Sequence, residues 1–213
     1  MKKKILTGAL LLAFGATAVM GGTLAYFTDA EDAENVFTVG NVDIQLTEPA
    51  WTAEGGGEDE GEDVYPGEAL AKDPTVTNIG DNPCFVRVSV SNLDQFGNKG
   101  DITLRHGNYE EGYDDTNWTY YDGYYYYNKV LATTETAGDE WNQGLGTVTE
   151  PLFNQIVMPT GLTGEETTEP IEVVAQAVQA QGARASWSAV KAMTVEEIAA
   201  WFGQVNTEDS LGW

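Results

Sequence analysis

Beyond residue 36 the chain mostly repeats apolar and polar positions with a period of two. Val36 to Leu46 (VFTVGNVDIQL) sets Val42, Ile44 and Leu46 on one face. Lys72 to Ile79 (KDPTVTNI) predicts a short strand ended by a turn over Gly80 to Pro83. Cys84 to Leu93 (CFVRVSVSNL) alternates cleanly, with Phe85, Arg87 and Ser89 on one side and Val86, Val88 and Val90 on the other. Pro151 to Val157 and Ile171 to Gln181 predict two more strands. Within WTYYDGYYYYNKVL, Trp118 to Leu131, the pair Asp122-Gly123 separates two aromatic runs, which is a strong hairpin signal. The intervals are turn-like: a Gly-acid loop over 54–63, Pro66-Gly67, and a polar, Gly-rich excursion from Gln95 to Asp115. Short strands with this punctuation predict an all-β antiparallel sandwich.

One segment carries helical periodicity instead. Thr194-Val195-Glu196-Glu197 reads as a capping box, in which hydroxyl and carboxylate satisfy the first amides reciprocally. Ile198, Trp201 and Phe202 then share a face, predicting a C-terminal helix over 194–203 that covers an end or edge of the sandwich.

The first residues follow neither period. Lys2, Lys3 and Lys4 precede an apolar run from Ile5 to Met20, then Gly-Gly and Thr23-Leu24-Ala25. A basic start, a short apolar core and small residues at a cleavage point describe a secretory signal peptide, residues 1–25, cut between Ala25 and Tyr26. An uncleaved span would need about 20 apolar residues. This run reaches that length only by including the Gly-Gly-Thr step.

Residues 26–213 are then expected to form one domain. All 34 acidic residues lie beyond the cut but only 7 of the 10 basic ones, for a formal charge of −27. Such a surface excludes binding nucleic acid or anionic membrane by charge, and leaves the leader as the only membrane contact. Self-association would be opposed at low ionic strength and favoured by salt, divalent cations or acid. Disorder, the default for so acidic a chain, is countered by 6 Trp, 10 Tyr and 7 Phe. Cys84 is the sole cysteine, so no internal disulfide supports the fold, and in NPCFVRVSV it reads as a small strand residue. The tail, EDSLGW, carries no apolar anchor and no sortase-type motif.

Catalytic chemistry finds little to work with. His106 is the sole histidine, whereas a zincin helix needs two with a glutamate. No Gly-x-Ser-x-Gly elbow occurs. We expect no catalytic, cofactor or metal residues. The 54–63 loop lacks EF-hand ligand spacing and would bind calcium only weakly. Asn117-Trp118-Thr119 matches a glycosylation sequon by accident. The tyrosines at 120, 121 and 124 to 127 suggest a glycan-stacking face, but alternation sends half of them to the core.

A resemblance now becomes visible. The cut site, Tyr26-Phe27-Thr28-Asp29, then Asn35, Phe37 and Gly40-Asn41-Val42-Asp43-Ile44, resembles the start of the TasA/CalY (camelysin) family. Pro66-Gly67, Lys72-Asp73-Pro74, Asn78-Ile79-Gly80, Phe85-Val86-Arg87-Val88 and Gly123-Tyr124-Tyr125-Tyr126-Tyr127 continue it more weakly. The resemblance implies a jelly-roll domain, processing by a SipW-type signal peptidase in a Gram-positive bacterium, and head-to-tail self-assembly into fibres of the extracellular biofilm matrix, with related matrix subunits as further partners. It also implies a donor strand, residues 26–39, that completes the sheet of the next subunit. Tyr26, Phe27, Val36 and Phe37 would be its anchors, although Asp29 to Glu34 is acidic. Camelysin relatives carry a metalloendopeptidase label, which the residues of this chain do not support chemically. A surface module for glycans or host proteins is the other reading left open. N-terminal sequencing of the secreted protein is expected to begin at Tyr26, and any later or earlier start would move the cut.

Overall fold

The computed structural model describes residues 42–53, 64–107, 110–133, 145–164, 166 and 169–208. In chain order the elements are β1 (Ile44–Thr47), α1 (Pro49–Ala53), β2 (Ala69–Ala71), β3 (Thr75–Asn78), β4 (Cys84–Val90), β5 (Thr103–His106), β6 (Glu110–Glu111), β7 (Trp118–Tyr121), β8 (Tyr124–Tyr127), β9 (Gln155–Val157), β10 (Val173–Gln179), α2 (Trp187–Lys191) and α3 (Val195–Glu208). All strand pairs are antiparallel.

One sheet has the order β10-β4-β8-β7. β10 pairs with β4 along its whole length, from Val173 opposite Val90 to Gln179 opposite Cys84. β7 and β8 form the hairpin predicted at Asp122-Gly123. Both turn residues have positive φ, 46° and 85°, which a two-residue hairpin of this hand requires and which Asp and Gly tolerate. The second layer has the order β2-β9-β5-β6. β3 extends β2 past Pro74 and carries β1 on its other side. Backbone bonds from Lys72 N to Asn154 O, Leu152 N to Pro74 O, Thr149 N to Val76 O and Asn78 N to Thr147 O join the two ladders into one bent sheet.

The facing sides of these layers bury Val42, Ile44, Leu70, Val76, Val86, Val88, Trp118, Leu152, Phe153 and Ile156. The outer side of the β4 sheet is buried as well. Phe85, Tyr126 and Val178 pack there against Trp187, Val190, Ile198 and Phe202 of the two C-terminal helices. The molecule is therefore a β-sandwich with a helical layer on one face. The alternation in β4 sorts its side chains as expected: Val86 and Val88 enter one core, Phe85 the other.

Two expectations are corrected here. α3 does not cap an end or edge; it lies across a sheet face, because Phe85, Tyr126 and Val178 leave an apolar surface that must be covered. The outward half of the tyrosine run is consequently not all solvent-facing: Tyr126 is 2 % exposed, beneath Phe202. The capping box itself forms, with Thr194 N donating to Glu197 Oε2 at 3.0 Å and Glu197 N to Thr194 Oγ1 at 3.4 Å.

Arg87 fastens the helix to the sheet. Its guanidinium carbon lies 3.9 Å from the Tyr124 ring centre and 4.4 Å from that of Phe202. Its Nε donates to Gln176 Oε1 at 2.7 Å and one terminal nitrogen to Tyr126 OH at 3.2 Å. Phe202→Ala removes a fully buried ring and one face of this sandwich. It is expected to lower unfolding free energy by about 3–5 kcal/mol, measured by urea titration. A loss under about 1 kcal/mol would mean that α3 contributes no second core.

Candidate functional site

A sandwich that recruits another strand does so at a sheet edge, so the site to build is the set of edges. In an antiparallel ladder alternate residues turn their backbone N–H and C=O away from the paired neighbour. On β7 the outward amides are those of Trp118 and Tyr120. Trp118 N donates to Asp114 O at 3.0 Å and Tyr120 N to the Tyr113 hydroxyl at 3.3 Å. The segment over 113–114 thus takes up the outward amides of this edge.

The opposite edge is different. Ser91 N to Glu172 O and Ala180 N to Pro83 O fix which β10 residues bond to β4. Val173, Ala175, Ala177 and Gln179 therefore face outward. Gln179 O accepts from Trp201 Nε1 of α3 at 2.9 Å. The backbone groups of Val173, Ala175 and Ala177 have no partner among the described residues. Across the rim, β1 comes within 8 Å of β10, Cα to Cα. Asp43 O accepts from Ile79 N and Gly80 N at 2.9 and 3.0 Å, so the outward β1 residues are Val42, Ile44 and Leu46. They too lack backbone partners among the described residues. The side chains of both outward sets point into the main core, with Val42, Ile44, Val173, Ala175 and Ala177 buried and Leu46 packed against them. On one side of the sandwich two strand edges thus meet over one apolar seam, and both are shielded from solvent, Ala175 and Ala177 being 1 % and 2 % exposed.

The exit of β1 is anchored. Lys72 Nζ donates to Glu48 Oε2 at 2.5 Å with both side chains almost fully buried, and lies 5.1 Å from the Trp51 ring centre. Ala50 N donates to Asp73 Oδ1 at 2.7 Å. The Lys72-Asp73 pair thereby pins α1 behind β1.

Other residues singled out in the sequence fall away from this seam. Cys84 is fully buried and burial pushes its thiol far up, so it carries no thiolate. His106 is in β5. The Asn117 amide is engaged on both sides, donating to Asp114 Oδ2 and accepting from Lys129 Nζ, each at 2.8 Å. Tyr120 and Tyr121, 53 % and 38 % exposed, are consecutive on β7 and point to opposite faces, so they form no continuous stacking platform. Ala25, Tyr26, Phe27, Val36 and Phe37, and the 54–63 loop, lie outside the described residues. The β10 edge itself was missed in the sequence. The alternation of AQAVQA marks small inward residues but carries no signal for an edge.

Residues 1–83 match the model of the camelysin metallo-endopeptidase family. The camelysin match covers about two-fifths of the chain and is consistent with the TasA/CalY resemblance. It takes in residues 1–43, β1, α1, β2 and β3 and ends just before β4. No curated protein and no solved structure matches the chain. The family's description points toward a metal-dependent peptidase. Among the described residues, no group of three or more His, Cys, Asp or Glu is placed to hold a metal ion, so those residues do not fit one. No described helix is long and apolar enough to cross a membrane.

A second polar cluster sets a pH response. Tyr127 OH donates to Glu150 Oε2, Lys129 Nζ reaches Glu150 Oε1 at 3.1 Å, and Trp118 Nε1 donates to Glu150 O at 3.1 Å. Burial pushes Tyr127 well above its ordinary 10.0, and the Glu150 carboxylate beside it adds to the rise. Burial also pushes Glu150 up, but hydrogen bonds from Tyr127, its own backbone and Lys129 outweigh it and leave Glu150 below 4.5. A depressed carboxyl stabilises above its unfolded value and loses that contribution as pH falls through the folded one. A raised phenol is fully stabilising below pH 10 and loses its contribution as pH rises further. The urea midpoint is therefore expected to be flat from about pH 6 to 8 and to fall on both sides, the alkaline fall being shared with the buried Cys84 thiol and Tyr125. Tyr127→Phe is expected to make the alkaline limb shallower without removing it, and an unchanged limb in that variant would refute the assignment.

Proposed function

We propose that this chain is a secreted structural subunit that polymerises head to tail into extracellular matrix fibres. Residues 26–39 of one copy add as a strand to the β10 edge of the next. The observation carrying this reading is the asymmetry of the sheet. The outward amides of β7 are taken by Tyr113 and Asp114, whereas the outward backbone groups of Val173, Ala175 and Ala177 have no partner among the described residues and lie, shielded from solvent, over an apolar seam. Main-chain bonds would supply the affinity and alternate side chains the specificity. On this reading Tyr26, Phe27, Val36 and Phe37 would be the donor side chains that anchor the strand. Trp201, bonded to Gln179 O, marks where the incoming strand must stop. A contact of this type uses two different surfaces, so it does not close and generates filaments.

The leader fits the same reading. A SipW-type signal peptidase would release Tyr26 as a free end only outside the cell, and the acidic surface would hold newly released subunits apart until salt or divalent cations screened it.

Electron microscopy of the secreted protein at moderate salt is expected to show filaments. Deleting residues 26–39 is expected to leave monomers that bind a synthetic 26–39 peptide. Filaments that persist after the deletion would sink the donor-strand arrangement, and their absence from the intact protein would sink the fibre reading. Stoichiometric zinc with chelator-sensitive peptide cleavage would instead favour the activity in the family's description.

A further inference from the structure

The second core contains a pocket of about 140 Å³ between the end of the tyrosine hairpin and the two C-terminal helices. Phe85, Val130, Leu145, Val190, Met193 and Ile198 supply its apolar wall. Asn128, Lys129 and Lys191 complete its lining. For scale, an apolar cavity of about 150 Å³ is enough to hold benzene.

Lysines are scarce in this chain. It has 10 basic residues against 34 acidic ones, and three of the 10 are Lys2, Lys3 and Lys4. The other lysines are committed elsewhere: Lys72 to Glu48, Lys99 to Glu166 and Lys129 to Glu150 and Asn117. Lys191 makes no ion pair among the described residues. Its ammonium is 5.5 Å from the centre of the Trp187 ring, at the last turn of α2. Among the described residues, then, Lys191 is a cation with no carboxylate partner, and it lines a pocket whose wall is largely apolar.

From this juxtaposition we propose that the pocket binds a small carboxylate with a compact apolar body, such as an aromatic or short branched acid. The body fills the space under Val190, Met193 and Ile198, and the carboxylate pairs with Lys191. A neutral ligand of the same shape would gain the burial but not the ion pair. A larger amphiphile would not fit the volume. The pocket is on the helical face, away from the β10 seam, so this inference stands apart from the fibre reading.

Titration of the purified protein with benzoate and with benzyl alcohol, followed by NMR, tests it. Benzoate is expected to shift the methyl signals of Val130, Val190, Met193 and Ile198 with a Kd of about 0.1–5 mM, and benzyl alcohol to bind at least tenfold more weakly. Lys191→Met, a change at an exposed position, is expected to abolish that tenfold preference while leaving benzyl alcohol affinity within about twofold. Equal binding of the two ligands to the unaltered protein would overturn the proposal, as would a preference that survives Lys191→Met. So would shifts located outside these methyl groups.

Discussion

The structure depends on β4 having both faces buried. Most strands of a two-layer sandwich turn one side to water, and their outward residues are free to be polar. β4 cannot do so: its inward valines fill the inter-sheet core, while Phe85 supports two helices. Arg87 is the exception in this strand, and it shows how a charge is tolerated at the join. The guanidinium carbon is within 4.4 Å of the ring centres of both Tyr124 and Phe202, with Gln176 and Tyr126 accepting from its nitrogens. No carboxylate is needed, because aromatic faces and neutral acceptors take its charge and its donors. Lys at this position would lose both the planar stacking and the forked donation.

This double burial also explains how far the sequence could be read. The β4 alternation, the Asp122-Gly123 turn and the Thr194–Glu197 capping box are local signals, and the structure realises each of them. What the sequence did not disclose is non-local. β5 lies inside the segment that reads as a polar excursion. Thr103–His106 has one apolar residue, Leu104, and becomes a strand because β9 offers it a ladder. β2 is three residues long, too short to show a period. α1 is held by Lys72 and Asp73, which precede β3 and not the helix itself. Alternation showed that Phe85 and Val86 face opposite ways, but not that both directions end in a core.

The seam between β1 and β10 was hidden for a related reason. Alternating Ala and Gln in β10 mark small inward residues but not which side of the strand lacks a neighbour; that follows from topology. The charge distribution was more legible, and its use is economical. Among the described residues, four of the cations form ion pairs, with Glu48, Glu166, Glu150 and Glu197. Of these the Lys72–Glu48 pair is the buried one, and it would leave a costly unpaired charge if broken. The others are more exposed and are weakened by solvent screening. Their value is in joining segments distant in sequence, as Arg184 does by reaching Glu197 in the first turn of α3.

On the fibre reading, an intramolecular competitor must be considered. Residues 26–41 precede β1, and an extended stretch of that length reaches about 50 Å, far more than the separation of β1 from β10. A tethered strand sees its own edge at an effective concentration of about millimolar, so pairing in the same molecule would win unless geometry opposes it. The chain enters β1 at Val42, already at the seam, and reaching β10 in hydrogen-bonding orientation requires an immediate reversal there. The four acids within Asp29 to Glu34 make that reversal harder, because folding back would bring their charges over an apolar seam in a protein of strongly negative net charge. On the proposed arrangement a neighbouring copy would receive the segment without that reversal, leaving the inter-subunit charge repulsion to be screened.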